Sequence, residues 1–336
     1  MRFKSKKILQ TGCIGLGFGL NHAKTFKKNK FCNLVSICDK KRKYKKQADL
    51  LNCEFTLNPE KIINNKKIDL ISIATYDNFH FNQIMNSLKN KKNLFVEKPF
   101  CQNYKQYYKI KKLLLRTKIK FTSNFVLRNY PKFKKVYELV KKNKIGKIYH
   151  IEGEYNYGRI FKLKKGWRGK IPFFSVTQGG GIHLVDLMIW ILNSLPQRVV
   201  ATGNNFQTKN SKFKYNDNVV GLINFKNGVT GKVSSNFGCV TPHHHTMKIY
   251  GSTGTLIVLR KKIELYKSRK MSAKPINIKY IKDLKYKDKI LNTFIDSILL
   301  RNKNFFIKTN DIFGSMATCL AIDKSINTKK WEKVRI

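Results

Sequence analysis

The sequence predicts an α/β chain in two parts: a doubly wound parallel sheet over residues 1–123, then an α+β domain over residues 124–336 built on a large, open, mostly antiparallel sheet. Three observations carry this expectation. A glycine-rich turn, Gly15-Leu16-Gly17-Phe18-Gly19, closes the first apolar run. Short apolar runs then alternate with amphipathic, lysine-rich segments as far as Ser123. Beyond Pro131 the apolar runs lengthen and carry alternating aromatics. With 336 residues and 42% hydrophobic content, the chain can build two cores.

In order along the first part, Ile8–Ile14, Leu34–Cys38, Leu70–Ala74, Leu94–Val96 and Lys120–Ser123 read as strands, each followed by a helical segment, which is the signature of parallel β/α units. After Pro131 the spacing predicts a helix over Lys132–Lys142. β-type runs follow at Ile148–Tyr157, Val199–Ala201, Val219–Phe225, Val229–Asn236 and Met247–Tyr250. Asn227-Gly228 is a hairpin signal, and Gly251-Ser252-Thr253-Gly254 marks a second turn. Two helical stretches, Ile290–Leu300 and Ile312–Ile326, close the chain, and the last is expected to pack back on the first domain.

A formal net charge of +50, from 69 Lys+Arg against 19 Asp+Glu, would suit a polyanionic partner. Its distribution argues otherwise: the basic residues are mostly Lys, lie in nearly every segment, and accompany no RNP1, helix-turn-helix or zinc-finger signature. No specific nucleic-acid partner is expected, although the charge helps attract an anionic substrate. The longest apolar run, Leu187–Leu192, is too short to span a bilayer, so no membrane partner is expected. Arg2, Lys4, Lys6 and Lys7 before Ile8-Leu9 imitate a signal peptide, or a lipoprotein site at Cys13, but cleavage there would remove the glycine turn. The cysteines (Cys13, Cys32, Cys38, Cys53, Cys101, Cys239 and Cys319) are odd in number, scattered, and form no Cys-x-x-Cys pair, which implies a reduced, cytoplasmic setting without a zinc site.

The glycine turn sits where a dinucleotide fold of Rossmann type delivers its first strand into a helix, whose free N–H groups bind pyrophosphate. Gly15, Gly17, Phe18 and Gly19 occupy that junction. The usual third glycine would fall at Leu20, which predicts a wider approach of helix to strand, partly compensated by Gly12 and Gly19. Asp39 ends the second strand run at the distance expected of a carboxylate on the adenosine ribose; it would repel a 2′-phosphate and so favours NAD. Lys40, Lys41 and Arg42 follow it and leave NADP open.

Taken in order, Ile14 to Gly19, Ala74-Thr75-Tyr76-Asp77-Asn78-Phe79-His80, Glu97-Lys98-Pro99, Asn124 to Arg128, Trp167-Arg168, Gly179 to Asp186 and Ala321 to Ser325 resemble the Gfo/Idh/MocA family of oxidoreductases over essentially the whole chain. The resemblance implies that Thr75, Asn78 and His80 line the nicotinamide half of the cofactor, with Glu97 and Lys98 beside the nicotinamide ribose and substrate. It places Arg128, Trp167, Arg168 and Asp186 by the substrate. It also suggests a cis peptide at Lys98-Pro99. Many members carry an Asp four residues before the catalytic His; here that position is Gly179, a shortened form similar to members found in sugar and cell-surface polysaccharide biosynthesis.

Oxidising a secondary alcohol needs a base for the hydroxyl proton and a donor for the developing charge. His183 and Lys98 suit those roles and are expected to converge on one cleft, with Asp186, one helical turn beyond His183, able to hold it. His243-His244-His245 is read as sheet or pocket rather than metal site, since alternation leaves only His243 and His245 on one face. The leading expectation is an NAD-dependent dehydrogenase of a sugar, cyclitol or nucleotide sugar, assembled as a homodimer or homotetramer. A glycosidase that retains NAD, and a non-catalytic NAD-binding regulator, remain alternatives on the same fold.

Overall fold

A computed structural model describes residues 8–281, 286–300 and 307–336, so Arg2, Lys4, Lys6 and Lys7 lie outside the described residues. The chain divides into two units, Met1–Asn124 with Lys287–Thr309, and Phe125–Tyr286 with Asn310–Ile336.

In the first unit the strands are β1 (Leu9–Ile14), β2 (Cys32–Cys38), β3 (Glu54–Thr56), β4 (Leu70–Ile73), β5 (Asn93–Val96) and β6 (Phe121–Ser123). They form a parallel six-stranded sheet of order β3-β2-β1-β4-β5-β6. Helices α1 (Gly19–Lys28), α2 (Lys45–Leu51), α3 (Pro59–Ile63), α4 (Asp77–Lys89) and α5 (Tyr104–Leu115) connect the strands. Leu70, Ile71 and Ile73 are all inaccessible to solvent, which explains why β4 reads as a continuous apolar run rather than an alternating one. Of the six strands only β3 escapes the sequence reading, because Glu54-Phe55-Thr56 is short and begins with a charge.

The second unit contains α6 (Pro131–Lys141), β7 (Ile148–Asn156), α7 (Phe161–Lys164), α8 (Ile182–Leu192), β8 (Pro196–Asn204), β9 (Asn218–Phe225), β10 (Thr230–Asn236), β11 (His244–Gly251), β12 (Gly254–Val258), β13 (Ile263–Tyr266), β14 (Ile276–Ile278) and β15 (Glu332–Lys333). The sheet order is β14-β13-β12-β11-β7-β10-β9-β8-β15, and every pairing is antiparallel except β7 with β10. The Asn227-Gly228 hairpin joins β9 to β10, with Gly228 at φ 83°. Along β7, Ile151, Gly153 and Tyr155 are buried while Glu152, Glu154 and Asn156 are not. On that second face Glu152 lies opposite Lys232 and Lys248 on neighbouring strands, 3.5 and 4.0 Å from their ammonium nitrogens.

The two closing helices are α9 (Tyr286–Ile298) and α10 (Thr309–Thr328). It is α9 that joins the first unit: Phe294 lies 6.1 Å from Phe95, and the Asn29 amide donates to Asn292 at 2.8 Å. The last helix groups with the second unit from Asn310 onward. Its Ser325 Oγ accepts from the Ala201 N–H at 3.0 Å, and Ile312, Met316, Ala317 and Ile322 are wholly enclosed.

Arg128 and Asp186, expected beside the substrate, prove to be framework residues. The guanidinium is inaccessible, donates through Nε and Nη2 to Asp186 at 2.8 and 2.7 Å, and through Nη1 to Asp311 at 3.0 Å. Asp186 is equally enclosed and accepts from Arg128 rather than facing a ligand. Breaking a buried pair by removing one partner costs about 3–5 kcal/mol. Arg128→Met is therefore expected to lower the urea midpoint of unfolding by that equivalent; a midpoint equal to the parent's would show that the pair does not hold the unit together.

Candidate active site

At the end of β1 the backbone turns through Gly15 at φ 87°, where a Cβ would stand 2.6 Å from the Ala74 carbonyl and the Thr75 amide. Only glycine fits there. The turn is tied to β2 by Asp39, whose Oδ2 accepts from the Leu16 N–H at 2.7 Å while Oδ1 accepts from the Lys41 N–H at 2.9 Å. Lys40 is turned aside, its ammonium 4.4 Å above the ring of Tyr76.

The α1 N-terminus has no side-chain cap, Phe18 preceding it is 61% exposed, and no atom lies within 4 Å of where a Cβ on Gly17 would be. Free helix N–H groups facing open space beside a carboxylate fit the pyrophosphate and ribose of a dinucleotide. Gly19 compensates for Leu20: a Cβ on it would lie 3.0 Å from both Cys13 Sγ and Ala74 Cβ, so this glycine supplies the close approach of helix to strand.

At the same carboxyl edge of the sheet, Glu97 leaves β5 and the Lys98-Pro99 peptide is cis. Glu97 accepts from the Asn124 amide at 2.7 Å and lies 3.5 Å from His22 Nε2, while His22 Nδ1 meets Ser72 Oγ at 2.8 Å. Burial opposes ionisation of Glu97, but His22 and Asn124, with Lys98 nearby, outweigh it and hold the carboxyl below its ordinary value. Sequence reasoning missed His22; its only signal was a polar residue on the buried face of an amphipathic helix.

His80, expected at the cofactor, is wholly enclosed, with Nδ1 2.7 Å from the Pro99 carbonyl and Nε2 3.1 Å from that of Thr75. It braces the loops after β4 and β5 and has no surface left for a ligand. Thr75 Oγ1 donates to Gln83 at 2.8 Å. Asn78 Oδ1 is buried and has no hydrogen-bond partner among the described residues, as a ligand contact would.

In the second unit a π-helical turn, Thr177–Gly181, leads into α8, and His183 occupies the first turn of that helix. The residue is 7% exposed, and its ring is edge-on to Phe125 at 6.4 Å and near-parallel to Tyr155 at 6.4 Å. The absence of an Asp at Gly179 has a steric reason: a Cβ there would fall 2.5 Å from the ring of Phe174. The turn is held instead by Asp323 of α10, which accepts from Ser175 Oγ and Gln178 Nε2, both at 2.8 Å. Burial pushes the Asp323 carboxyl up to about 6 against the pull of those two donors.

Trp167 and Arg168 lie in a 3₁₀ turn, with the Arg168 guanidinium 4.6 Å over the Trp167 ring. His243 and His245 share a face, both against Tyr155 at 5.2 and 4.9 Å. Among the described residues no three His, Cys, Asp or Glu side chains are grouped to hold a metal ion, and no helix is long and apolar enough to cross a membrane.

A family model described as "Oxidoreductase family, NAD-binding Rossmann fold" matches residues 9–125, and one described as "GFO/IDH/MocA C-terminal domain" matches residues 133–257. An "Uncharacterized oxidoreductase" of Streptococcus pneumoniae is 20% identical over 63% of this chain and 58% of its own length. 2,7-anhydro-N-acetylneuraminate hydratase of Escherichia coli is 22% identical over 74% of this chain and 67% of its own. The chain thus spans well under two thirds of the first of these relatives. A solved structure of levoglucosan dehydrogenase in complex with NADH shares the fold, with a TM-score of 0.83 and 17% identity over 98% of this chain and 100% of that one.

Two outcomes follow from this geometry. A hydrogen bond to a charged group is worth about 1.5–3 kcal/mol, so Asp39→Ala should weaken NAD binding about 10–100-fold in a fluorescence titration; unchanged affinity would remove Asp39 from the site. Asp323 binds its proton more tightly folded than unfolded. Its contribution to stability is complete below 3.8 and is lost as pH rises through about 6. Asp323→Asn should flatten that part of the stability profile, and an unchanged slope in denaturant titrations across the same range would contradict the assignment.

Proposed function

The chain belongs to the Gfo/Idh/MocA family of oxidoreductases, and from that premise we propose that it is an NAD-dependent dehydrogenase of a secondary alcohol on a sugar, cyclitol or nucleotide sugar. The observation that carries the reading is Glu97-Lys98-Pro99 at the end of a β5 strand in the same parallel sheet that carries the glycine turn and Asp39. Strand ends of such a sheet are where ligands bind.

When bound, the nicotinamide exchanges a hydride with the carbinol carbon. In this reading Asp39, Gly15, Gly17 and the start of α1 hold the adenosine and pyrophosphate portion, with Thr75 and Asn78 towards the nicotinamide. His183 takes the hydroxyl proton and returns it in the reverse direction. Lys98 donates to the same oxygen and stabilises the charge that develops on it. Glu97, kept ionised by His22 and Asn124, anchors Lys98 and the ribose side of the site. Trp167 and Arg168 border the substrate. A cytoplasmic homo-oligomer, associating through the polar face of the second sheet that carries Glu152, completes the proposal.

The second reading is a glycosidase of the same fold that retains NAD and uses it without net oxidation; one relative is likewise named for a reaction other than a net oxidation, as a hydratase. A screen of sugars, inositols and nucleotide sugars, read at the nicotinamide absorbance with product analysis, separates the two. Accumulating reduced cofactor supports the dehydrogenase; a changed sugar without it supports the second reading; neither result across the screen counts against both.

Loss of a positioned acid or base lowers turnover by about 10²–10⁴-fold. His183→Ala and Lys98→Ala should each show that loss with NAD affinity intact, and folded variants working at the parental rate would exclude this mechanism.

A further inference from the structure

We infer that the second unit binds the anionic group of an acidic sugar, a carboxylate or a phosphate, through Arg159 and Arg168. This rests on the reading of the chain as a sugar oxidoreductase and narrows the substrate of that reading.

Both arginines belong to a short excursion that begins where β7 ends. Gly158 turns the chain at φ 56°, in a place where a Cβ would overlap the Thr241 carbonyl oxygen, so the direction in which Arg159 leaves the strand is set by the backbone. The chain passes through α7 and returns in the Trp167–Gly169 turn, where Gly169 packs directly on the Leu163 carbonyl. The two guanidiniums are thereby brought to one ring, their carbons 5.4 and 5.8 Å from the centre of Tyr157. Arg168 also lies 4.6 Å from the centre of the Trp167 ring and 5.7 Å from that of Phe174. Stacking on aromatic faces holds the plane of a guanidinium and leaves its edge, with a fork of N–H donors, available to a planar or tetrahedral anion.

No described residue supplies the anion. Among the described residues neither arginine has a carboxylate within salt-bridge distance. The contrast is with Arg128, where a guanidinium that serves the frame takes two carboxylates. The chain's cations are overwhelmingly lysines dispersed over the surface. Two arginines gathered on one tyrosine depart from that pattern.

The pair is linked to the proposed acid/base through two rings. Tyr157 is 6.0 Å from Tyr155, and Tyr155 is near-parallel to His183 at 6.4 Å. Burial pushes the Tyr155 phenol upward, Tyr157 adds to it, and Arg168 and Arg159 both pull against it, so both charges are felt at that ring. A sugar with its carbinol at His183 and a charged substituent towards Tyr157 would meet both.

The test is calorimetric titration of the full chain with NAD present, using hexuronates and hexose phosphates, each beside its neutral hexose, while nicotinamide absorbance is followed in parallel. At least one charged sugar is expected to bind about tenfold or more tightly than its neutral parent, with the advantage shrinking as salt is raised. Which arm shows it distinguishes carboxylate from phosphate. In the Arg159→Gln, Arg168→Gln double variant the advantage should fall to within about twofold, with NAD affinity and the circular dichroism spectrum unchanged. Charged sugars binding no better than neutral ones, or an advantage that survives in the double variant, would overturn the inference. Arginine-dependent preference without any redox chemistry would leave it standing and overturn the oxidoreductase reading instead; equal oxidation of neutral and acidic sugars would do the reverse.

Discussion

One buried guanidinium organises the second unit. Arg128 lies in the turn just after the first unit's last strand, yet it bonds to Asp186 on α8 and Asp311 on α10 and stacks 5.6 Å from Trp190. Three separate stretches of chain are thereby referred to one planar group with fixed hydrogen-bond directions. The consequence reaches His183, since Asp186 is three residues further along the same helix. The imidazole takes its orientation from this frame and from the Tyr155 and Phe125 rings.

The first unit solves a different problem. A dinucleotide needs backbone donors left over at a helix start, and a protein normally fills such donors with a capping side chain. Here the residue before α1 is phenylalanine, which cannot cap, and Asp39 satisfies the loop N–H at Leu16 instead of the helix. The carboxylate therefore shapes the turn while the helix end stays open for an anion. His80 and the Glu97, His22 and Asn124 cluster then fix the loops that follow β4 and β5.

How much of this could be read from the sequence depended on whether the signal was local. Parallel strands buried on both faces announce themselves as apolar runs, the Asn227-Gly228 turn needs a positive φ, and the Glu97-Lys98-Pro99 turn sits where a strand must end. These were legible, with boundaries shifted by a residue or two. Long-range pairing was not. Nothing in the sequence says that Arg128 meets Asp311 across 183 positions, or that both nitrogens of His80 face backbone carbonyls, and so both were expected at the ligand. Short, polar strands such as β3 were lost for lack of pattern, while α9 and α10 were legible as helices. His22 shows a third limit: a histidine on the inner face of a helix looks like a core residue until the carboxylate beside it is seen.

The ring of Phe174 over Gly179 makes two positions into a single heritable unit. A side chain at 179 would require the Phe174 ring to shift, because its Cβ would stand 2.5 Å from that ring, and trimming the ring would open a void beside Arg168 and Phe237. Each single step is unfavourable and only the pair is tolerable. Changing the chemistry at position 179 therefore means repacking position 174 with it, and the acid/base set of this turn is tied to the aromatic cluster around it.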